Sequence, residues 1–526
     1  LDAVFYPDIY KREEIFRQEG WNYHLEQPEG PLKYNGVVYN EMKGAFSSPD
    51  EVLEREIMNH LFPDTTYGCE SGGDPKNIPD LSYENFLNFH RTYYHPSNSY
   101  IYLYGNMDME EKLAFLDEHY LSHFDYLNVD STIQEQKAFE SCQDVTLEYP
   151  VAENEGEEDN TYLSYNMVVG EAADINLSLA FEVLDYALLS APGAPLKQAL
   201  LDAKIGKDIY GSFEDGIKQT YFSIVAKGAN LSQKEEFVKV IRDTLTKIME
   251  EGIDKKAVTA GINYYEFRFR EADFSSYPKG LMYGLDILSS WLYDDTKPFC
   301  EVQLLEGFEF LKKALEEGYF EDLIRKYLLD NTHGAILSLV PEKGLAAKRD
   351  KELEEKLENY RKSLSDEELT RMVENTKALE AYQESEEDPE ALTCIPMLSR
   401  EDIKKEITGL TNEEHYVDDS LFLYHDVCTN GIGYVDLMFK TDSIAPEQIP
   451  YLGLLKSVLG YVDTEHYTYG ELFNEINAST GGINCGVEVF DRADSTEEFQ
   501  AMFSVRGKAL YTKMDFLFKM IQEILN

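Results

Sequence analysis

Positive charge is what this sequence lacks most. It carries 48 Lys and Arg against 99 Asp and Glu, a formal net charge of −51. So acidic a surface cannot neutralise phosphates, which argues against nucleic acid as a partner and against an anionic membrane surface. Cysteine is sparse too. The six residues (Cys69, Cys142, Cys300, Cys394, Cys428 and Cys485) lie far apart with no C-x-x-C pair, so a zinc ribbon or thioredoxin-like site is unsupported. Their scatter suits a reducing compartment. No apolar run reaches membrane-spanning length; the best, Tyr451 to Val462, contains Lys456 and is core-sized. There is no signal-peptide pattern, no P-loop and no G-x-S-x-G elbow, and "NGIG" and "STGG" are turn glycines. The expectation is a soluble, intracellular protein of a bacterial cytoplasm or organelle matrix.

What is present is core material. Hydrophobic residues make up 43% and aromatics 13%, including 37 Tyr and 28 Phe, which excludes a disordered chain. At roughly 100–200 residues per domain, 526 residues hold about three. In the first part, "SSPDEVLEREIMNHLF" predicts a helix with Ser48 as N-cap, Pro49 at its first position and Glu51 closing a capping box. "SYIYLYG" (Ser99 to Gly105) reads as a buried strand, and Asp108 with Glu111 caps another helix. "DVTLEYPV", "NTYLSYNMVVG", "DIYGSFED", "QTYFSIVAKG" and "GAILSLVPE" read as strands of a second part, with a long helical stretch from about Ser232 to Leu329. Lys343 to Ser385 turns to Lys, Glu and Leu at helical spacing, and "SDEE" (Ser365 to Glu368) is another capping box, so a charged helical hairpin is expected. Further on, "SLFLYHDV" and "GIGYVDLMFKT" read as paired strands around "CTNG".

Few residues suggest chemistry. Glu41, in "GVVYNEMKGAF", sits among Val37, Val38 and Met42; read alone it is an ordinary surface glutamate at the edge of an apolar face. His119 and His123 stand four apart on an expected helix, the spacing of an H-E-x-x-H metal site, but Tyr120 occupies the place of the base. His90 and His95, five apart, favour packing and capping.

Four stretches taken together carry more: "GVVYNEMKGAFSSPD", "LFPDTTYGCESGGDP", "FHRTYYHPSNSYIYLYGNMD" and "PEALTCIPMLSREDI". In this order they resemble the presequence-protease and falcilysin branch, subfamily C of the pitrilysin/insulinase (M16) zinc metallopeptidases. The resemblance implies an α+β fold of repeated two-layer domains, mainly antiparallel sheet covered by helices, joined by a helical hairpin linker. It implies four segments: 1–135, the C-terminal part of the zinc-site domain; 136–342, a second such domain; 343–390, the hairpin linker; and 391–526, a truncated third. These enzymes bind one zinc through an inverted H-x-x-E-H motif and a distal glutamate. The "NEMKG" glutamate, Glu41, is then the distal metal ligand. No H-x-x-E-H occurs in the 526 residues, so the catalytic base and both histidines are absent from them.

By the same resemblance, "IPYLGLLKSVLG" looks like a decayed counterpart of the zinc helix, with Tyr451, Leu454 and Leu455 at the places of the first histidine, the glutamate and the second histidine. The chain opens at Leu1 without Met and ends within a helix, so it is expected to be an internal section whose partners are peptide substrates and the N- and C-terminal segments of the same protein. The parent would be a zinc-dependent endopeptidase that degrades short unstructured peptides in a closed chamber, and the chain alone would be inactive and hold zinc poorly. The alternative is a non-catalytic partner subunit that completes another chain's chamber.

Overall fold

The computed structural model describes residues 1–386, 388–406, 409 and 411–526; positions 387, 407, 408 and 410, within the expected linker and third segment, lie outside the described residues. Two compact units emerge. Unit 1 comprises Leu1–Ile253 and Ser276–Ser385, and unit 2 comprises Asp254–Ser275 and Glu386–Asn526.

After short helical turns between Asp2 and Gly20, unit 1 forms a short antiparallel pair, β1 (Asn22–His24) and β2 (Lys33–Asn35), followed by helices α1 (Val37–Ala45), α2 (Pro49–Leu61), α3 (Tyr83–Tyr93) and α4 (Met109–His119). Then come β3 (Gln143–Val151), β4 (Thr161–Glu171), α5 (Ile175–Asp185), α6 (Pro195–Asp202), β5 (Asp208–Glu214), β6 (Gln219–Ala229) and α7 (Lys234–Glu251). The next helix, α8 (Lys255–Glu271), belongs to unit 2; α9 (Lys279–Trp291), α10 (Leu305–Ala314), β7 (Gly334–Lys343), α11 (Leu345–Ser363) and α12 (Asp366–Gln383) complete unit 1. The five strands form one sheet in the order β3-β7-β4-β6-β5, antiparallel except for the β3–β7 pair.

Strand β4 is central, and its first nine residues are buried. On one face Tyr162, Val168, Tyr221 and Val225 pack under Val52, Leu53, Ile57 and Leu61 of α2. On the other, the Tyr165 hydroxyl donates to the Leu328 carbonyl at 2.6 Å, and the Phe222 ring lies 5.8 Å from that of Phe181 on α5. A polar knot sits at the centre: Asn166 donates through Nδ2 to the Ala335 carbonyl and Ser164 Oγ, both at 2.9 Å, and accepts from Ser223 Oγ at 2.7 Å. The hairpin α11–α12 packs on β1–β2; Leu25 N donates to Thr376 Oγ1 at 3.1 Å and the Tyr23 ring stacks on Tyr360.

Unit 2 contains β8 (Glu413–Val417), β9 (Ser420–Tyr424), β10 (Ile432–Lys440), α13 (Ile449–Val458), α14 (Tyr469–Ser479), β11 (Ile483–Asp491), β12 (Phe499–Leu510) and α15 (Met514–Leu525). Its three-stranded antiparallel sheet runs β10-β12-β11. Phe503, Val505, Leu517 and Ile521 form the core between sheet and α15, and Leu452 of α13 packs against them. Helix α8 adds to this unit through α14, with Asn263 Nδ2 donating to the Ala478 carbonyl at 2.6 Å. The run β10-α13-α14-β11-β12-α15 repeats β4-α5-α6-β5-β6-α7 of unit 1, including the β-strand order and the 3-10 turn before the last helix. The expected class, mixed helix and mainly antiparallel sheet in repeated helix-covered domains, is the one observed.

Several local expectations change. Ser48 is the N-cap of α2 and Pro49 its first residue, but the Ser48 side chain makes no cap bond. The "SDEE" box forms fully: Glu368 N donates to Ser365 Oγ and Ser365 N to Glu368 Oε2. Ser99 to Gly105 is not a buried strand. It runs beside α9 with the Tyr100 ring 4.4 Å from Trp291 and the Tyr102 and Tyr104 rings against Gly284 and Gly280. No described strand offers it a ladder, so an alternating pattern lies on a helix instead of in a sheet. "SLFLYHDV" does not pair with "GIGYVDLMFKT"; β9 closes a hairpin with β8, while β10 pairs with β12. The helical stretch beyond Ser232 is several helices, broken by Gly252 and again after Glu271. Among the described residues no helix is long and apolar enough to cross a membrane.

Candidate functional site

Helix α1 carries the one residue assigned a ligand role. Its N-cap is Gly36, whose φ of +145° and 2.3 Å spacing between a hypothetical Cβ and the Gly20 carbonyl oxygen leave room for glycine alone. At 100° per residue, Tyr39, Met42 and Phe46 share one side of the helix, and Val37, Glu41 and Gly44 share the opposite side. The first side is packed. Tyr39 is buried, its ring 5.7 Å from Tyr34, and burial raises its phenol above the ordinary range. Met42 Sδ fills the place where Gly72 lacks a side chain, 2.3 Å from where a Cβ would stand. Phe46 lies under the Arg55 guanidinium, 4.1 Å from its ring centre. Lys43 reaches sideways to Asp350 of α11 at 2.9 Å, and Asn40 Nδ2 donates to Asn35 Oδ1 at 2.9 Å.

The second side is open. Val37, Glu41 and Gly44 are exposed, and no described hydrogen bond or ion pair engages the Glu41 carboxylate. A free anionic oxygen on a helix pinned along its opposite side fits one position of a metal's ligand set. It does not complete one: among the described residues no group of three or more His, Cys, Asp or Glu is placed to hold a metal ion. A groove of about 970 Å³ between β2, α1 and α11 is lined by Tyr34, Tyr39, Lys43, Asp350 and Glu354 and leaves Glu41 outside.

The histidines fall elsewhere. Helix α4 ends at His119, and His123 closes a separate 3-10 turn, so the two do not share one helix face. His90 bonds the Tyr10 hydroxyl at 2.7 Å and the Val4 carbonyl at 2.8 Å, and His95 Nδ1 accepts from Ser97 N, in line with packing and capping. Sequence reasoning missed the supports of α1. Asp74 accepts from Lys76 N at 2.8 Å and from Arg55 Nη1 at 3.1 Å, tying the "ESGGDP" loop to α2 and, through Arg55, to Phe46. The only signal was the glycine pair itself. Helix α13 occupies in unit 2 the place of α5 in unit 1, directly after the first strand of the repeat; Tyr451, Leu454 and Leu455 are exposed on it.

Comparison with known proteins now adds to this geometry. The family model "Peptidase M16 inactive domain" matches residues 80–265, and the model of the domain associated with subfamily C of the same peptidases matches 339–526. "Protein HypA" of Clostridium perfringens is 48% identical over 526 residues, all of this chain and 54% of that protein. "Presequence protease 1, chloroplastic/mitochondrial" of Arabidopsis thaliana is 35% identical over 533 residues, all of this chain and 49% of that protein. A crystal structure of pitrilysin is similar over 93% of this chain and 49% of that one, with a TM-score of 0.46 and 14% identity. The chain thus spans about half the length of the curated relatives it matches. It belongs to the presequence-protease branch, subfamily C, of the pitrilysin (M16) family of peptidases.

Proposed function

We propose that this chain is the middle section of a zinc endopeptidase that degrades short unstructured peptides in a closed chamber, to which it contributes Glu41 as a metal ligand. One observation carries the reading: the Glu41 carboxylate stands unengaged on the open side of α1 while the other side is pinned by Tyr39, Met42 and Phe46. The presequence proteases among its relatives support a peptidase. Zinc, when bound, supplies a Lewis acid and an activated water for attack on a peptide carbonyl. The contribution of this chain is an anionic oxygen held on a rigid helix, with the histidines and the general base coming from segments of the same protein outside the 526 residues. The net charge of −51 favours cationic peptides as substrates, in a cytoplasm or organelle matrix.

A non-catalytic partner subunit would have no need of a free carboxylate at this position, so Glu41 favours the catalytic reading. Metal analysis tests it. The purified 526-residue chain is expected to hold far less than one zinc per molecule. In the natural full-length protein, Glu41→Gln is expected to weaken zinc by roughly 100-fold or more, since even residues supporting a ligand cost about 10–100-fold. Tight stoichiometric zinc in the isolated chain, or undiminished zinc in the variant, refutes the proposal.

A further inference from the structure

We propose that Arg55 and Gly72 are positioning residues for Glu41: together they form the seat that sets the height and rotation of α1, and so the place of the carboxylate. The inference rests on the reading of Glu41 as a metal ligand and names what holds it. Arg55 is mostly buried, 17% exposed, and joins three elements. It projects from α2, lies over the Phe46 ring at the end of α1, and donates to Asp74 of the glycine loop at 3.1 Å. Asp74 is itself fixed, its other oxygen accepting from Lys76 N and its carbonyl from Asn77 N. The arginine is therefore a rigid strut and not a mobile surface cation; a second ion pair, to Glu56, holds it from the other side.

Gly72 supplies the second point. A Cβ there would stand 2.3 Å from Met42 Sδ and 2.9 Å from Met42 Cε, so the loop approaches α1 only because position 72 has no side chain. Ordinary contact begins at 3.4 Å, which requires a shift of at least 1.1 Å (3.4 − 2.3) by the methionine or by the helix. Phe46 and Met42 lie on the side of α1 opposite Glu41, one helical turn apart. Loosening either contact tilts or rotates the helix and carries the carboxylate with it. Ligand geometry tolerates about half an ångström, so whatever part of that displacement the flexible Met42 side chain passes on to α1 beyond this limit registers as lost metal affinity even where the fold survives.

The test uses the natural full-length protein and reads zinc affinity by chelator competition, together with the visible spectrum of the cobalt-substituted protein. Arg55→Met, which keeps the stem and removes the strut, and Gly72→Val are each expected to weaken zinc about tenfold and to alter the cobalt spectrum. Arg55→Lys, which retains a cation over Phe46, is expected to recover part of the loss, as is Met42→Ala in the Gly72→Val background. A purely structural role would lower the unfolding temperature and leave zinc affinity and the spectrum of the folded protein unchanged. If Glu41→Gln weakens zinc while both Arg55→Met and Gly72→Val bind it as the parent does, the positioning role is overturned and the ligand reading stands. If Glu41→Gln itself binds zinc normally, the ligand reading fails, and the positioning role with it.

Discussion

Replacing Asn166 by leucine probes the polar knot at the centre of the unit 1 sheet. The side chain is fully buried, bonded to Ser164, Ser223 and Ala335 at 2.7–2.9 Å. Leucine is close in volume and removes all three bonds. The Ser223 hydroxyl then loses its acceptor, and Ser164 and the Ala335 carbonyl lose a donor, deep inside the sheet. Each stranded group costs about 1–3 kcal/mol, offset by about 1–2 kcal/mol from burying the leucine. The net loss is about 1–8 kcal/mol, or roughly 1–10 °C in unfolding temperature at about 2.1 cal/mol/K per residue for a unit of this size. Both tryptophans, Trp21 and Trp291, lie in unit 1, so urea unfolding followed by tryptophan fluorescence reports this unit alone. Ser223→Ala in the leucine background removes the worst stranded hydroxyl and should return part of the loss, giving a coupling above about 0.5 kcal/mol in a double-mutant cycle. A leucine variant within about 0.5 kcal/mol of the parent would refute the argument that these bonds hold the sheet centre.

Two further outcomes concern charge and capping. Burial, reinforced by the facing carboxylates Asp215, Asp286 and Glu182, pushes the Glu301 carboxyl up to about 8. Between its ordinary value of 4.5 and that value the folded chain keeps a proton that the unfolded chain has lost, so stability falls as pH rises through this window. Glu301→Gln should therefore raise the urea midpoint at about pH 8.5 and leave it unchanged near pH 4; equal shifts at both would contradict the assignment. Ser365→Ala removes the reciprocal cap of α12 and should cost about 1 kcal/mol, read as faster proteolysis within the α11–α12 hairpin; an unchanged cleavage rate would count against it.

What could be read from the sequence was what local chemistry decides. The Ser365–Glu368 box, the α2 stripe of Val52, Leu53, Ile57 and Leu61, and the strand patterns of β3 to β7 all depend on neighbours a few residues away, and all appear. Failures came where a distant partner decides. "SYIYLYG" has the alternation of a strand, but α9 takes its tyrosines. "SLFLYHDV" finds a closer partner in β8, two residues away across a turn at Asp418, than in β10. The proposed ligand role of Glu41 was legible only through resemblance: spacing around it describes an ordinary surface helix, and the seat proposed for it, Arg55 and Gly72, is built from contacts that no periodicity encodes.

Helix α8 has a consequence for how the chain is made. It leaves the ribosome in the middle of unit 1 but finds its hydrogen-bond partner 215 residues later, where Asn263 meets Ala478. At about 5–20 residues per second that is a wait of roughly 10–40 s. During it, the face that α14 will cover is exposed, as is Phe267, which will pack against Gly481, while Ser276–Ser385 of unit 1 is made before those neighbours exist. Helix α8 is therefore an element whose apolar face stays uncovered through much of synthesis, and a surface on which aggregation can nucleate when translation stalls.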